Sequence, residues 1–411
     1  SGARRLRQAD PQGVADLGSV VLDPASQLPL FAAFRLPQVH YAGLTGAARR
    51  AAADIAARFP HSNIAIAPAA GRWLLTETAA TLGQPRYWLY EPARHSFAAV
   101  LEGERAQDKP LGEAQLAAKY PVAYPASDGR TIRGYLTLPP GRDAAKAPLI
   151  TVVHGGPWSH FESGYEWFVQ WMATRGYAVF QPNFRASTGY GDKFMLAPGT
   201  DFGNGRVQRD IIDGVRWLTA NGIGDRERMA ITGGSFGGYS TLLALTWNPE
   251  LFRFGLAMVP PPEFARTLAD AAAAHLPGEE TVPFAVRFDM MGLRFRDEAA
   301  METIRASAPA AHPDRIGRPL VIMAGGKDDK VRLETVTAYV ARLQALGKPV
   351  SLLVDPDEGH NARNPLVRDA YAYLMASLLH RYLDGPAPAA PAPELKAYLE
   401  RTMKADGALA P

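Results

Sequence analysis

A serine stands between two pairs of glycines in the stretch ITGGSFGGYSTLLAL, which covers residues 231–245. Ser235 occupies the centre of the pattern G-x-S-x-G, in which a sharp turn from a strand into a helix lifts a serine hydroxyl above a sheet. Glycine suits such a turn because it tolerates close backbone approach and positive φ. An alcohol becomes a good nucleophile when a neighbouring base removes its proton. The motif therefore predicts a nucleophilic serine, provided that a base and an orienting acid follow it.

The base should be a histidine, and the chain order in sheets of this kind is serine, then acid, then histidine. The histidines after Ser235 are His275, His312, His360 and His380. The first two precede the strand-like run PLVIMAGG (319–326), whose end should carry the acid, and His380 lies inside a helix-like run. His360 follows the strand-like run VSLLVD and stands directly after a glycine. We therefore predict that His360 is the base.

Two aspartates compete for the role of the acid that orients the imidazole. Asp328 and Asp329 both follow the run PLVIMAGG, at the edge where parallel strands present functional groups. Spacing alone leaves both candidates open. Asp357 lies near His360 in the turn DPDEG and is a third candidate, although turn formation suits it better.

Acyl transfer also needs hydrogen-bond donors for the oxyanion of the tetrahedral intermediate. The backbone N–H of Phe236, directly after the serine, is one candidate, and the loop TVVHGGPW with Gly155 and Gly156 should supply the other. His154 in this loop could bind a metal, but no second histidine or carboxylate stands at ligand spacing. We expect neither a metal nor a cofactor.

An α/β fold is predicted to position these groups. From about residue 130, apolar strand-like runs alternate with helix-like runs such as QRDIIDGVRWLTANG, which indicates a mostly parallel, doubly wound sheet. We assign residues 121–385 to this catalytic domain. Residues 1–120 carry short alternating runs such as GRWLLTET, so we expect a small, mainly β segment there. Residues 386–411 begin with the run PAPAAPAP and are predicted to form an extended surface tail.

The composition excludes several other classes of function. The net charge of +3 gives no electrostatic reason to bind nucleic acid or a membrane surface, and no apolar run approaches the roughly 20 residues that span a bilayer. The chain contains no cysteine, so disulfides, thiolate metal sites and cysteine nucleophiles are excluded. A cysteine-free chain suits either redox environment, which leaves the cytoplasm and the periplasm both open.

Five motifs, taken in order, resemble those of one known family. They are HGGPW (154–158), NFRASTGYGDKF (183–194), GGSFGGY (233–239), GGKDDKV (325–331) and DEGH (357–360). Over about residues 120–385 the chain resembles the catalytic domain of the prolyl oligopeptidase family of serine peptidases, nearest to its acylaminoacyl-peptidase-like bacterial branch. The resemblance implies an α/β-hydrolase fold and a serine hydrolase that cleaves peptides.

The resemblance also assigns roles to single residues. In the family the acid stands three residues before the valine of D-x-x-V, which selects Asp328 over Asp329. The implied triad is Ser235, Asp328 and His360. The second glycine of the H-G-G-P loop donates to the oxyanion in relatives, which indicates Gly156 as the partner of Phe236.

For the substrate, the resemblance implies an apolar S1 slot that suits proline or another apolar P1 side chain. The residues that would line it are Phe236, Phe264 and Val331. The residue before the valine contacts substrate carbonyls in relatives, which implies Lys330 as an anchor for a peptide carbonyl or carboxylate.

The family normally carries a seven- or eight-bladed β-propeller before the catalytic domain. Residues 1–120 hold strands enough for about two blades, and the unpaired edges of an open sheet are aggregation templates. We therefore expect those edges to be covered by an associated propeller fragment, by a second subunit in a homo-oligomer, or by local packing as a small cap on the hydrolase domain. The chain is accordingly not expected to be a stable isolated monomer.

Two other functions share parts of this pattern. A carboxylesterase acting on small esters would use the same triad and oxyanion hole, and a lipase would add a longer apolar lid, for which residues 268–300 are the candidate. A non-enzymatic binding module would not need the three triad residues together. We therefore expect a serine peptidase that acts on short peptides, with the esterase as the alternative.

Overall fold

The N-terminal part of the chain folds into antiparallel sheets and one helix. The computed structural model describes residues 9–69, 71–101, 112–273 and 284–409. The N-terminal elements are β1 (Leu17–Leu22), β2 (Pro29–Phe34), β3 (His40–Gly43), α1 (Gly46–Arg58), β4 (Asn63–Ala69), β5 (Arg72–Thr78), β6 (Arg86–Glu91) and β7 (Ser96–Leu101). Among the described residues, β1, β2 and β3 form one antiparallel sheet, and β4 to β7 form a second one in sequential order.

This N-terminal segment has an apolar core of its own. Helix α1 begins after Thr45, whose side chain accepts the backbone N–H of Ala48 as an N-cap. The inner face of the helix, which includes Ile55, packs with Phe31 of β2 and Trp73 of β5. Both sheets therefore share one small core, and the prediction of a small, mainly β N-terminal segment is confirmed.

The largest element of the molecule is a mostly parallel sheet. Its strands are β8 (Lys119–Pro125), β9 (Thr131–Thr137), β10 (Pro148–Val153), β11 (Ala178–Asn183), β12 (Asp225–Gly234), β13 (Phe254–Met258), β14 (Leu320–Gly325), β15 (Val350–Asp355) and β16 (Met403–Asp406). Over the described ranges the strand order is β16-β15-β14-β13-β12-β10-β11-β9-β8. Strands β10, β11, β12, β13, β14 and β15 run parallel to one another. At one edge β9 and β8 are added, and at the other β16, each antiparallel to the strand that it pairs with.

Helices cover both faces of this sheet. They are α2 (Trp167–Ala173), α3 (Asp192–Met195), α4 (Arg206–Ala220), α5 (Phe236–Trp247), α6 (Phe264–Ala273), α7 (Phe284–Met290), α8 (Glu298–Ser307), α9 (Leu333–Ala345), α10 (Pro365–Leu383) and α11 (Pro393–Thr402). Leu149 and Ile322 pack in the core with α4, α5 and α9, while their chain neighbours Ile150 and Val321 pack in the core with α2 and α10. Successive strand residues point to opposite faces, so strands buried on both faces are mainly apolar along their whole length. The predicted mostly parallel, doubly wound sheet is confirmed.

The C-terminal residues differ from the expected extended tail. After the connector 384–392, α11 leads into β16, which pairs with β15 and closes that edge of the sheet. Pro393 suits the first turn of a helix because its missing N–H would have no helical partner there. Tyr398 of α11 is buried and donates a hydrogen bond to Asp355 at 2.9 Å. The expectation is therefore wrong for residues 393–406, because the Pro/Ala-rich run concealed the helical signal that follows it.

The N-terminal segment packs directly on the α/β domain. The Tyr135 hydroxyl of β9 donates to the carbonyl of Pro37 at 2.6 Å, and the buried amide of Gln170 in α2 donates to the carbonyl of Ala80 at 2.9 Å. These contacts join the two regions through buried or partly buried hydrogen bonds. No helix in the described ranges has the length and apolar content needed to cross a membrane.

Candidate active site

Ser235 lies on the turn between β12 and α5. Its backbone adopts φ 57° and ψ −119°, a conformation that is uncommon for a residue with a side chain. The turn brings the chain so close to β10 that a Cβ atom on Gly233 would lie 2.5 Å from the carbonyl oxygen of Val153. The Ser235 N–H donates to the carbonyl of Met258 at 2.9 Å. Glycine is therefore needed at position 233 for this approach, and the turn holds the hydroxyl at the carboxyl end of the sheet.

His360 and Asp328 meet Ser235 at the same edge of the sheet. The Nε2 atom of His360 lies 3.0 Å from Ser235 Oγ, and its Nδ1 atom lies 2.9 and 3.0 Å from the two carboxylate oxygens of Asp328. The side chains of His360 and Asp328 are only 9% and 2% exposed. Asp329 is exposed, and Asp357 instead pairs with Lys327 at 2.8 Å. The structure thus brings together the serine, the histidine and the first of the competing aspartates.

The loops that carry Asp328 and His360 are tied to each other. The Lys327 N–H donates to the carbonyl of Glu358 at 2.8 Å, and a Cβ atom on Gly325 would lie 2.5 Å from that same oxygen. The Glu358 carboxylate also accepts the backbone N–H groups of Arg363 and Asn364 at 2.6 and 3.0 Å. The sequence indicates Glu358 only as a turn residue near His360, and its contacts could not be predicted because these partners lie five and six residues further along the chain.

The loop HGGPW lies beside the nucleophile. A Cβ atom on Gly155 would lie 3.4 Å from the Cβ of Ser235. Gly156 follows with φ +117°, a conformation that favours glycine, and a cis peptide bond joins it to Pro157. Phe236 is the first residue of α5, so its N–H has no helical acceptor and is free to face a ligand. Both predicted oxyanion donors therefore belong to backbone that flanks Ser235.

His154 holds this loop from inside the protein. The imidazole is buried, stacks on the ring of Phe184 with centroids 4.2 Å apart, and places Nε2 2.9 Å from the hydroxyl of Ser187. Its Nδ1 lies 2.8 Å from the carbonyl of Gly155. Burial lowers the pKa of His154 to about 4, so the ring is neutral near pH 7. Among the residues that the structure describes, no group of histidine and carboxylate side chains could hold a metal ion.

The two aromatic residues implied for the S1 slot are in contact with each other. The rings of Phe236 and Phe264 have centroids 5.3 Å apart in an edge-on arrangement, and both side chains are almost fully buried. Val331 is also buried, and its N–H donates to Asp328 at 2.9 Å. Lys330 is exposed, and its N–H donates to Asp328 at the same distance.

Two further aromatic residues near this cluster were missed from the sequence. Phe202 lies 6.1 Å from the ring of Phe236, and Trp158 lies 5.7 Å from the ring of Phe202. Both residues stand in loops, where no periodic pattern marks a buried side chain. Residues 274–283 of the lid candidate 268–300 lie outside the described residues; the rest belong mainly to α6, α7 and α8.

A cluster of charged side chains anchors the loop NFRASTGY. Arg185 is buried and reaches Asp210 of α4 at 2.6 Å and Asp128 at 2.6 Å. Hydrogen bonds from Arg185 lower the pKa of Asp128 to about 2. Buried charges need partners of this kind. No local sequence pattern predicts this cluster, because the two acids lie 57 and 25 residues away from Arg185.

Comparison with known proteins agrees with this geometry. The sequence profile of the prolyl oligopeptidase family matches residues 163–385, which is more than half of the chain. The chain belongs to the prolyl oligopeptidase family. It is 34% identical over 284 residues to dipeptidyl aminopeptidase BIII of Pseudoxanthomonas mexicana, covering 66% of this chain and 40% of that protein. It is 26% identical over 242 residues to the acylamino-acid-releasing enzyme of Rattus norvegicus, covering 59% and 32% respectively.

Solved structures share the fold. Puromycin hydrolase superposes with a TM-score of 0.68 at 21% identity, covering 81% of this chain and 49% of that one. The acylaminoacyl peptidase of Pyrococcus horikoshii superposes with a TM-score of 0.67 at 20% identity, covering 90% and 56%. The fold is that of an α/β hydrolase preceded by a small antiparallel β region. The chain spans 40% or less of the two curated relatives named above.

Proposed function

We propose that this protein is a serine peptidase that hydrolyses short peptides through an acyl-enzyme. The observation that carries the proposal is the line of contacts from Ser235 Oγ through His360 to the carboxylate of Asp328, with each step at 3.0 Å or less. Membership of the prolyl oligopeptidase family supports peptides as the substrate class. Dipeptidyl and acylamino-acid-releasing activities belong to the names of relatives and indicate which peptide termini to test.

The proposed chemistry follows from this arrangement. Ser235 Oγ attacks the scissile carbonyl while His360 Nε2 takes its proton, and Asp328 keeps the Nδ1–H tautomer in place. The N–H groups of Phe236 and Gly156 donate hydrogen bonds to the carbonyl oxygen as negative charge develops on it. His360 then gives the proton to the leaving amine. Water, deprotonated by the same imidazole, attacks the acyl-enzyme, releases the acid and restores the serine hydroxyl.

We propose that the substrate's P1 side chain enters an apolar slot beside the nucleophile. Phe236, Phe264 and Val331 are buried and apolar, which suits proline or another apolar P1 residue. The exposed ammonium of Lys330, two residues after Asp328, is proposed to anchor a peptide carbonyl or carboxylate. A charged P1 side chain would lose its hydration in such a slot without gaining a partner.

We also propose that a further protein surface covers the edge of the N-terminal segment. Among the residues that the structure describes, β1 lies at the edge of its sheet, and its side chains Leu17, Val20 and Leu22 are 50%, 45% and 42% exposed. Unpaired apolar edges invite pairing with another chain. The occupant is either a second copy or a propeller fragment, and light scattering with intact-mass analysis distinguishes the two. A homogeneous 44.4 kDa species would contradict this proposal.

Two measurements test the peptidase proposal. A fluorophosphonate probe should label the wild-type protein at Ser235 and should fail to label the S235A variant. Dipeptide 4-nitroanilides, with free and blocked N-termini and with Phe, Pro, Ala or Lys at P1, should then be compared with 4-nitrophenyl butyrate. We expect hydrolysis of anilides with an apolar P1. Labelling combined with ester hydrolysis alone would favour the carboxylesterase, and no labelling would contradict both enzymes.

A further inference from the structure

Two loops beside the nucleophile are held together by side chains. The first, the oxyanion loop, covers residues 154–162, and the second, the support loop, covers residues 183–191. His154 Nε2 lies 2.9 Å from Ser187 Oγ, and the Thr188 N–H donates to the carbonyl of Ser159 at 3.0 Å. In addition, the buried amide of Asn183 both accepts from the N–H of Phe161 at 2.7 Å and donates to its carbonyl at 3.0 Å. The support loop therefore holds the oxyanion loop on both sides of Gly156.

The N-terminal segment contacts both of these loops. Arg35, directly after β2, makes a bidentate contact with Glu162 of the oxyanion loop, with N–O distances of 2.7 and 2.9 Å. Asp16 contacts the support loop twice: its N–H donates to the carbonyl of Gly189, and its carboxylate accepts the N–H of Gly191, both at 2.9 Å. Paired N–H···O contacts of an arginine with a carboxylate fix orientation as well as distance.

A histidine joins the two contacts into one network. His160 places Nε2 3.3 Å from Glu162 and Nδ1 2.9 Å from the hydroxyl of Thr188. Hydrogen bonds from His160 and Arg35 lower the pKa of Glu162 to about 2, so this carboxylate stays charged throughout the range in which the protein would be assayed. The support loop is close-packed here, because a Cβ atom on Gly189 would lie 2.7 Å from Leu36 and 3.4 Å from His160.

We propose that Asp16 and Arg35 are positioning residues, through which the N-terminal segment holds the oxyanion loop in its working geometry. This inference rests on the proposed function. Each residue acts through a loop that carries or supports the Gly156 amide. The oxyanion exists only in the tetrahedral intermediate and the transition states that flank it. A displaced donor therefore lowers kcat and leaves KM nearly unchanged.

The proposal predicts a graded loss of kcat. Misplacing a catalytic group by about 1 Å can lower a rate by about 100-fold, and a partial loosening of the loop is expected to cost about tenfold for R35A. D16A should lose about threefold, because the backbone N–H of Asp16 still donates to the support loop. R35K keeps the charge but not the paired geometry, so it should recover part of the loss.

The experiment uses the full chain and compares R35A with a matched control. Arg72 forms a similar exposed ion pair with Glu91 at 3.0 Å in the second N-terminal sheet, away from both loops, so R72A removes an arginine without touching the network. Steady-state kinetics on Ala-Phe-4-nitroanilide should show the kcat loss for R35A and not for R72A. Affinity for a dipeptide aldehyde, whose enzyme adduct carries the oxyanion, should fall by the same factor as kcat.

A double-mutant cycle shows whether Arg35 acts through Glu162. The R35A and E162Q substitutions should be non-additive in kcat, because each disrupts the same contact. Equal kcat values for R35A and R72A in an active wild-type background would overturn the positioning role alone. A rise in KM with unchanged kcat would overturn it as well. A wild-type protein without labelling or hydrolysis would overturn this inference together with the proposed function.

Discussion

The nine-stranded sheet of the described ranges and the N-terminal sheets differ in how their apolar side chains are covered. In the large sheet, Leu149, Ile150 and their neighbours lie between two layers of helices, and antiparallel strands form both edges. In the N-terminal segment, β1 leaves three large apolar side chains half exposed. The difference teaches that the proposed catalytic triad lies in the region with the fully covered core.

The positions of the proposed triad residues explain this difference between the two regions. Ser235, Asp328 and His360 follow β12, β14 and β15, which are held by parallel ladders and buried side chains. Catalytic groups must stay within a fraction of an ångström of their working positions. The N-terminal segment instead contacts the loops beside this assembly, through residues such as Arg35. Substitutions in the two regions should therefore differ in size and in kind, as the following predictions state.

The largest effect is expected at the nucleophile. S235A should lower kcat by about 10⁴- to 10⁶-fold, because loss of a triad member removes covalent catalysis as a whole. The urea midpoint should stay close to that of the wild type, since the substitution removes one oxygen at the edge of the sheet. Steady-state rates and urea unfolding on the same preparation check both statements. A variant that keeps more than about a tenth of the rate would remove Ser235 from the mechanism.

The next largest effect distinguishes two adjacent aspartates. D328N should lower kcat by about 10⁴-fold, because an amide at this position favours the wrong tautomer of His360. D329N is the matched control, and it should change the rate little, because its side chain is exposed. Both variants should be measured at one pH with a single anilide. The opposite order of effects would assign the acid to Asp329.

Removing one arginine from each region sharpens the comparison of stability. R185M leaves the buried Asp210 without its partner and should lower the free energy of unfolding by about 3–5 kcal/mol. R35A breaks an ion pair whose side chains are 59% and 36% exposed, so its effect on unfolding should stay below about 1 kcal/mol. Urea unfolding followed by tryptophan fluorescence measures both values. Similar losses for the two variants would contradict the difference drawn between the regions.

The pH dependence of stability should report the buried imidazole of the oxyanion loop. The pKa of His154 is lowered to about 4 by burial, whereas an unfolded histidine titrates near about 6.5. At a pH between these two pKa values, His154 therefore carries an extra proton in the unfolded state and none in the folded state. The contribution of neutral His154 to the free energy of unfolding is complete above about pH 6.5. It falls by up to about 3 kcal/mol as the pH drops toward 4. H154Q should flatten this part of the curve in urea unfolding, and H61Q, at an exposed N-terminal position, should not.

Local patterns in the sequence were sufficient to predict part of the fold and part of the candidate active site. Apolar runs predicted the strands of the large sheet, because burial on both faces leaves a continuous signature. The order of serine, acid and histidine indicated the three residues that the structure brings together, although the choice between Asp328 and Asp329 needed the family resemblance. The site roles themselves remain predictions until the variants are measured.

Other features depend on contacts that no local pattern encodes. Arg185 finds its acids 57 and 25 residues away, and Arg35 finds Glu162 127 residues away. Such pairs form only when the topology brings distant segments together. The C-terminal helix was missed for a different reason, since the proline-rich run before Pro393 determined the interpretation of all that followed.

The manner in which α11 and β16 attach has a practical consequence. The connector 384–392 is largely exposed and Pro/Ala-rich, whereas the segment after it is held by buried contacts, such as Tyr398 to Asp355 and the Ala408 N–H to Ser351. A protease cut in this connector would leave the sheet edge occupied by a non-covalently bound peptide. The connector is therefore a natural place to divide the molecule into complementing fragments, whose reassembly would be read out as recovered hydrolysis.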